Sequence, residues 1–454
     1  MSDVLIIENC AIATMDDAGT EYASGHVVVS ENGLITAVGD GPAPDGDGAR
    51  RVDGTGCLAT PGLVSTHHHL FQWLTQGQAL EQPLFGWLRE LYPVWTQIDA
   101  EALRAAAAAG LAWLALSGCT SSSDHQYLFP PGSDDLLGAT VEAARWVGIR
   151  FHPTRGSMDL GRSSGGLPPD DLVEDTDAAL AATAEAIDRY HDPEPGSMLR
   201  IGVAPCSPFS VSGRLMREAM ELARFGKVRL HTHLAETLDE DLYCKQTFGC
   251  SPAEYLDELG WLGSDVWLAH CVHLDEPAVK RFAATGTGVS HCPSSNGRLG
   301  SGIAPVRRML RAGVPVGLGV DGPASSEGST LSGELRQALL TARFLGGADA
   351  MTARQALWLA TRGGAACLGR SDEIGALVPG MLADVALWRL DGLAADAISD
   401  PVAALVLAPP PRADLVLVGG RPVVDGGELR TVDPAAAARE VRAARRRLFG
   451  QDAR

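Results

Sequence analysis

The middle of the chain alternates short apolar segments with longer segments in which apolar residues recur at helical spacing. The apolar segments that are short enough for buried strands lie at residues 62–67, 118–124, 149–155, 199–205, 228–233, 266–270, 287–291 and 315–321. Helical segments such as "DAEALRAAAAAGLAWLALSG" lie between them. Regular strand–helix alternation predicts an α/β fold with a parallel sheet, and eight such units predict a TIM (β/α)8 barrel over residues 59–371.

The two ends of the chain show a different pattern, in which apolar and polar residues alternate over short stretches. "GHVVVSENGLITAVGDG" near the start and "ADLVLVGGRPVVDGGELRTVD" near the end are typical of β-hairpins, with Asn32-Gly33 as one turn. We therefore expect residues 1–58 and 372–430 to form one small β-sandwich domain. Residues 431–454 are predicted to form a C-terminal helix with Asp433 as its cap and Pro434 in its first turn.

The charge and the composition narrow the classes of function. The 454 residues carry a formal net charge of -19, which disfavours nucleic acid or an anionic membrane as a partner and favours a small-molecule substrate. We find no signal peptide pattern and no apolar run of the length that a membrane span needs. The nine cysteines show no repeating spacing, so we expect free thiols and a cytoplasmic protein.

Residues whose side chains can bind a metal ion or transfer a proton stand at the ends of the predicted strands. His67 and His69 end the first strand, His233 ends the fifth, His270 the sixth and Asp321 the eighth. Catalytic groups of such barrels cluster at the C-terminal ends of the strands. In "HHH" at 67–69, the first and third residues share a face of an extended chain and the middle one points away.

Three imidazoles and one carboxylate suit a divalent metal ion such as zinc, and iron or manganese can occupy a site of the same kind. We predict the ligands to be His67, His69, His233 and Asp321, with one position left for water. His270 is either a fifth ligand or a base that holds the water, and we prefer the base because four ligands already fill the site. Strand four ends in Cys206, not in a lysine that could bridge two metals, which favours one metal ion per subunit.

A carboxylate beside this metal site is a candidate proton carrier. Glu236 follows His233 by three residues in "HTHLAET", and we predict Glu236, His270 and Asp321 to be catalytic. The spacing differs from the H-x-E and P-C-x-x-C motifs of zinc deaminases that act on polynucleotides.

Residues that could contact a planar substrate are harder to identify. We predict this role for polar side chains near the strand ends, which are equally compatible with structural roles: Gln72, His125, Tyr127, Arg155 and Cys206. We interpret the remaining histidines outside the "HCPSSN" motif as structural or exposed, namely His152, His191, His231 and His273. Asp124 is interpreted as a residue that orients His125 or caps a loop.

The motifs together resemble the amidohydrolase superfamily, in its purine and pterin deaminase branch. The resemblance covers nearly the whole chain and rests on "PGLVSTHHH", "HTHLAET", "AHCVHL", "SHCPSSNGRLGSGIAPV", "GLGVDGPASS" and "IGALVPGMLADVAL". It implies a mononuclear zinc aminohydrolase in which Asp321 and His270 take a proton from water and Glu236 protonates a ring nitrogen. Ser326 stands where the family often has an asparagine, so the hydrogen bonds around Asp321 are an open question.

Within this branch, "HHHLFQWLTQ", "SSDHQYLFP" and "HPTRGSMDLGRSSGGLPPDDLVE" are most similar to 8-oxoguanine deaminases. The resemblance implies the conversion of 8-oxoguanine and water to urate and ammonia. Alternatives are removal of alkylamine or chloride from s-triazines, and deamination of isoxanthopterin. A non-catalytic scaffold is a remote alternative, since no ligand is lost. Relatives of this kind imply a homo-oligomer, a dimer or larger.

Overall fold

The structure, a computed structural model, describes residues 4–45 and 48–450. Its first strands are β1 (Leu5–Ala13), β2 (Glu21–Val29), β3 (Ile35–Asp40), β4 (Arg50–Asp53) and β5 (Cys57–Pro61). The next strands are β6 (Leu63–Ser65), β7 (Cys119–Gln126), β8 (Arg150–Ser157), β9 (Gly202–Pro205), β10 (Arg229–Leu234), β11 (Val266–His270), β12 (Gly288–His291) and β13 (Val316–Leu318). The last are β14 (Val385–Arg389), β15 (Ala413–Val418), β16 (Arg421–Asp425) and β17 (Glu428–Leu429).

The helices lie mainly between the strands of the middle region. They are α1 (Leu84–Trp95), α2 (Ala100–Leu116), α3 (Leu136–Val147), α4 (Thr176–Tyr190), α5 (Gly213–Phe225), α6 (Leu238–Thr247), α7 (Pro252–Glu258), α8 (Glu276–Thr285), α9 (Pro293–Arg298), α10 (Val306–Ala312), α11 (Leu331–Gly346), α12 (Ala353–Trp358), α13 (Gly364–Cys367), α14 (Pro401–Leu407) and α15 (Pro434–Phe449). Short 3₁₀ turns occur at Leu70–Leu74 and Arg162–Ser164, and a π-helical turn at Leu359–Gly363. None of the helices in the described residues has the length and hydropathy that crossing a membrane requires.

Strands β6 to β13 close into a parallel barrel in which β13 pairs with β6. Each of the eight predicted segments overlaps one of these strands, and the predicted fold class is confirmed. The barrel strands are buried along nearly their whole length because helices cover them, as expected of parallel sheets. The closed barrel brings the C-terminal ends of all eight strands to one face.

The chain ends build a second sheet. Hydrogen bonds join its strands in the order β17-β16-β15-β14-β5-β1-β2-β3, with β4 also paired with β1. Its inner side buries apolar residues from both ends of the chain, among them Ile7, Val27 and Leu417. Strand β5 pairs with β1 and β14 and so crosses the predicted limit at residue 58. The domain limits themselves remain a prediction.

Local features predicted from the sequence hold the ends in place. The turn at Asn32-Gly33 joins β2 to β3, and Gly33 has φ +73° and lies so close to Gly419 that a Cβ atom would meet its carbonyl oxygen at 2.2 Å. Helix α15 begins at Pro434, and the side chain of Asp433 accepts the N–H of Ala435. All nine cysteines lie within the described residues and are free thiols.

A buried ion pair ties the second sheet to the barrel. Arg150 at the start of β8 donates from Nε and from an Nη atom to the two carboxylate oxygens of Asp384, at 2.8 and 3.0 Å. Asp384 also accepts the backbone N–H of Gly419 at 2.7 Å. Because both side chains are almost fully buried, removal of either one would leave an unpaired charge in the interior.

The buried carboxyl group of Glu334 in α11 makes stability depend on pH. It accepts the N–H of Ser294 at 3.1 Å, and burial raises its pKa from 4.5 to about 7. Between these two pH values the unfolded chain ionises Glu334 and the folded protein does not, so stability falls as pH rises. We expect wild type to lose on the order of 3 kcal/mol relative to Glu334→Gln between pH 4.5 and 7. Thermal midpoints of both proteins at pH 5 and pH 8 test this, and an unchanged difference would contradict it.

Candidate active site

The predicted strand-end residues meet on the C-terminal face of the barrel. The Nε2 atoms of His67 and His69 each lie 3.3 Å from the Oδ1 atom of Asp321. The Nε2 atom of His69 also lies 3.0 Å from the Nε2 atom of His233. His67 and His69 therefore share a face, as the spacing of two residues predicts, and these contacts join four side chains that follow or end strands β6, β10 and β13.

Backbone carbonyl groups determine the tautomers of two of these imidazoles. The Nδ1–H of His69 donates to the carbonyl of His125 at 2.8 Å, and the Nδ1–H of His233 donates to the carbonyl of Cys206 at 2.7 Å. A carbonyl oxygen only accepts, so both Nδ1 atoms carry the proton and both Nε2 atoms carry a lone pair. Burial lowers the pKa of both rings, which favours their neutral forms.

Two imidazole lone pairs 3.0 Å apart cannot form a hydrogen bond with each other. The repulsion is removed when a cation lies between them, and neutral imidazoles with one carboxylate are the donors that divalent transition metals prefer. The residues present therefore fit a divalent metal ion held by His67, His69, His233 and Asp321.

The second carboxylate oxygen of Asp321 is held by two hydroxyl groups. Ser295 donates to the Oδ2 atom at 2.5 Å and Ser325 donates to the same atom at 3.0 Å. These bonds leave Oδ1 facing the imidazoles. Ser325, not Ser326, makes the contact, which answers the question that the sequence left open about this loop.

Glu236 and His270 form a pair beside the predicted metal ligands. The Nε2 atom of His270 lies 3.6 Å from the Oε2 atom of Glu236, and the Nδ1–H of His270 donates to the Oδ1 atom of Asn296 at 2.9 Å. Burial raises the pKa of Glu236 to about 7. Burial opposes protonation of His270, but the nearby carboxylates of Glu236 and Asp321 raise its pKa above the usual value. A carboxyl group that keeps a proton near neutral pH is suited to proton transfer.

Strained backbone coincides with these residues. Ala235, His270 and Asp321 have φ values of 49°, 70° and 58°, in the left-handed region that non-glycine residues rarely adopt. The carboxylate of Glu240 accepts the N–H groups of Ala235 and Glu236, at 2.8 and 2.9 Å, and so stabilises one of these turns. Strain of this kind persists where the surroundings over-determine the conformation, which is common at active sites.

A small cavity of about 30 Å³ lies over the predicted ligands. Polar side chains form its floor, including Glu236, His270 and Asp321. Its walls and roof are mostly aromatic and apolar and come from α1 and from loops after the strands: Leu84, Trp87, Leu88, Tyr92, Phe209 and Leu299. Apolar walls around a few polar groups are typical of ligand sites, although in this conformation the space has only about the volume of one water molecule.

The residues predicted to contact substrate separate into two groups. Gln72, Tyr127 and Cys206 line the cavity. His125 and Arg155 are not among its lining residues in the part of the chain that the structure describes.

His125 packs against the predicted ligands. Its Nε2–H donates to the carbonyl of Ala204 at 3.0 Å, and its ring stacks on the ring of His233 with the centroids 4.7 Å apart. Its ring nitrogens lie close enough to His67, His69 and His233 for the four imidazoles to form one cluster.

Arg155 is held away from the cavity by other partners. Its guanidinium donates to both oxygens of Glu174, at 2.7 and 2.5 Å, and lies 3.8 Å from the centre of the Phe129 ring. All three residues line a separate surface groove of about 570 Å³.

Several residues that support the site were not identified from the sequence. They are His231, Glu240, Ser295, Asn296 and Ser325. Two signals were present: His231 precedes His233 by two residues, as His67 precedes His69, and the serine and asparagine of "HCPSSN" follow strand β12. Burial lowers the pKa of His231 to about 3, so this ring is neutral in the folded protein.

Comparisons with known proteins agree with this site. The chain is 46% identical over 424 residues to the 8-oxoguanine deaminase of Pseudomonas aeruginosa, covering 93% of this chain and 94% of that protein. It is 39% identical over 415 residues to an isoxanthopterin deaminase from an unknown prokaryotic organism, covering 84% of this chain and 86% of that protein.

A similar solved structure is that of an atrazine chlorohydrolase from Arthrobacter aurescens TC1 complexed with zinc. It is 34% identical to this chain, has a TM-score of 0.93, and the match covers 97% of this chain and 100% of that one. The model of the amidohydrolase family matches residues 58–423, which include every predicted metal ligand and catalytic residue. The chain belongs to the amidohydrolase family.

Proposed function

We propose that the protein is a zinc-dependent deaminase that converts 8-oxoguanine and water to urate and ammonia. The observation that carries the proposal is the arrangement of Glu236, His270 and Asp321 around one small cavity, beside three imidazole lone pairs. The 46% identity to an 8-oxoguanine deaminase supports this substrate. A small heterocyclic substrate also agrees with the acidic net charge.

We propose His67, His69, His233 and Asp321 as the ligands of one zinc ion. When bound, such an ion lowers the pKa of water and polarises a carbonyl or ring carbon as a Lewis acid. The zinc bound by the structurally similar chlorohydrolase supports zinc over iron or manganese.

The side chains of the chain itself would move the protons. Glu236 donates its proton to a ring nitrogen next to the carbon that bears the amine, which makes that carbon more electrophilic. Asp321 and His270 accept the proton that the attacking water loses. That proton then passes to the leaving amine, which departs as ammonia, and the hydroxyl group on the carbon returns its proton to Glu236 as it becomes a carbonyl group. Asn296 keeps the Nε2 atom of His270 directed at Glu236.

We propose that Gln72 forms hydrogen bonds with the polar edge of the substrate ring. Its Oε1 atom is buried and has no hydrogen-bond partner among the described residues, and the side chain lines the cavity. A carboxamide both donates and accepts, which matches an edge that carries N–H beside C=O. Gly322 leaves room for this amide, since a Cβ atom at that position would lie 1.9 Å from the Oε1 atom.

Replacing Gln72 with leucine tests this assignment. The change keeps the apolar volume but removes the hydrogen bonds to the ring, so we expect KM to rise about tenfold with a smaller change in kcat. Steady-state kinetics on 8-oxoguanine measure both constants. A variant with an unchanged KM would show that Gln72 does not bind the substrate.

A screen of ammonia release tests the substrate. Purified protein with zinc is given 8-oxoguanine, isoxanthopterin, guanine and a hydroxylated triazine that bears an alkylamine. We expect the highest kcat/KM for 8-oxoguanine, with urate as the product detected by its absorbance. Activity on the triazine or on isoxanthopterin, with none on 8-oxoguanine, would reject the proposed substrate and favour one of the alternatives.

The alternative functions use the same side chains. The isoxanthopterin deaminase and the atrazine chlorohydrolase among the relatives support a pterin or a triazine as the next candidates. The 46% identity to a deaminase favours release of an amine over release of chloride. We further propose a homo-oligomer in the cytoplasm, which light scattering of the purified protein would test for the state of assembly.

A further inference from the structure

His231 connects a metal ligand to the backbone of the next strand. It lies in β10, is fully buried, and its Nε2 atom lies 2.8 Å from the Nδ1 atom of His67. Its other ring nitrogen, Nδ1, lies 2.7 Å from the carbonyl oxygen of Trp267 in β11. The ring therefore lies between His67 and a carbonyl group, with its Nε2 atom facing His67 and its Nδ1 atom facing the carbonyl oxygen of Trp267.

The hydrogen-bond chemistry allows one arrangement of protons. The carbonyl of Trp267 only accepts, so the Nδ1 atom of His231 carries a proton and the Nε2 atom of the neutral ring accepts. The proton in the contact with His67 must then belong to the Nδ1 atom of His67. As a result, the Nε2 atom of His67 presents its lone pair to the point that the other ligands face.

The same strands are joined at a second point. The indole N–H of Trp267 donates to the carbonyl of Thr66, the residue before His67, at 2.9 Å. The ring of His231 stacks on this indole with the centroids 4.4 Å apart and the planes at 17°. The position and the rotation of the His231 ring are thus determined by Trp267, and the ring in turn orients His67.

We propose that His231 is a positioning residue for the metal, which selects the tautomer of His67 that can bind it. The inference rests on the proposed metal-dependent function and deepens it. Ligating imidazoles usually donate their second N–H to a carboxylate or a carbonyl, as His69 and His233 do here. His67 uses another imidazole instead, so its ability to bind metal depends on a residue that never touches the ion.

His152 provides a matched control for burial and packing. It is 4% exposed, and its ring lies 5.7 Å from the ring of the same Trp267. Neither of its ring nitrogens has a hydrogen-bond partner among the described residues. Substitution of His152 therefore disturbs a similar part of the core without changing the tautomer of a ligand.

The test compares His231→Phe, His231→Asn, His231→Gln and His152→Phe with wild type. Zinc affinity is measured by competition with a coloured chelator, and folding by circular dichroism. We expect His231→Phe to bind zinc 10- to 100-fold more weakly, the range for loss of a group that orients a ligand. Glutamine can accept from His67 and donate to Trp267 at once, so His231→Gln should stay within a few-fold of wild type, as should His152→Phe.

If His231→Phe fails to fold, the pair His231→Asn and His231→Gln decides. The asparagine side chain is shorter and spans only one of the two contacts, so it should weaken zinc binding where glutamine does not. Equal zinc affinity in all folded variants would overturn the proposal, and so would equal losses in His231→Phe and His152→Phe. The measurement involves no substrate, so it stands even if the enzyme proves inactive on 8-oxoguanine.

Discussion

Replacing Glu236 with glutamine is expected to lower kcat about 10³-fold and to leave the metal content unchanged. The amide keeps the size of the side chain but cannot donate the proton that the ring nitrogen needs, and general acid catalysis contributes about 10²- to 10⁴-fold. Glu236 is not one of the four proposed ligands, so zinc should stay bound. Steady-state kinetics and metal analysis of the same preparation check both halves of the prediction.

Glu334→Gln is the matched control for this change. Glu334 is also a buried glutamate whose pKa burial raises to about 7, but it does not line the cavity. We expect its kcat to stay within a few-fold of wild type. If Glu236→Gln kept most of the activity, the proton would have to come from a group other than Glu236. If the protein were a scaffold without catalysis, Glu236→Gln and Glu334→Gln would not differ.

Replacing Asp321 with asparagine is expected to reduce kcat/KM by at least about 10³-fold and also to weaken zinc binding. The amide is neutral and cannot accept the proton of the attacking water, so the catalytic loss resembles that of a missing general base. The amide nitrogen would also face either the two serine hydroxyls at Oδ2 or the imidazoles at Oδ1. Unlike Glu236→Gln, this variant should lose activity and metal together.

Zinc titration followed by kinetics at saturating zinc separates the two effects of Asp321→Asn. Asp124→Asn is a suitable control, because Asp124 is a buried aspartate whose Oδ1 atom accepts the N–H of Leu70 at 2.9 Å, a bond that asparagine can retain. We expect Asp124→Asn to bind zinc as wild type does. Full activity of Asp321→Asn at saturating zinc would show that the carboxylate is a ligand only and takes no proton.

The fold was predictable because its pattern is local and repeated. Every predicted barrel segment overlaps a strand, since a buried parallel strand needs a short apolar run and the helices between the strands need an apolar stripe. The ends of the strands were less predictable. The segment at 62–67 forms a strand only over Leu63–Ser65, and the side chains of His67 and His69 beyond it approach Asp321.

That the proposed metal and catalytic residues lie close together was also predictable from the sequence, because a barrel places all strand ends on one face. Which polar side chains near the strand ends line the cavity was not. Arg155 stands near a strand end like the others, but Glu174 and Phe129 hold its side chain in another groove. Nothing in the order of residues shows that a carboxylate 19 positions later will pair with that guanidinium.

The supporting residues show the same limit. His231 was interpreted as structural or exposed, because a histidine in a strand gives no sign of which nitrogen its neighbour will need. Asn296 and Ser295 reach His270 and Asp321 because helix α9 packs its first turn against two other strand ends. These contacts join residues 26 positions apart, and only the folded backbone brings them together.

By itself, the sequence of this protein determined the barrel, the second sheet and the chemical type of the groups at the barrel mouth, since periodicity and residue type act over a few neighbouring positions. Tertiary structure decided which nitrogen of each imidazole is free, which carboxyl group keeps its proton and which side chains enter the cavity. Those properties depend on burial and on hydrogen bonds between distant segments. They exist only after the strands have closed into the barrel.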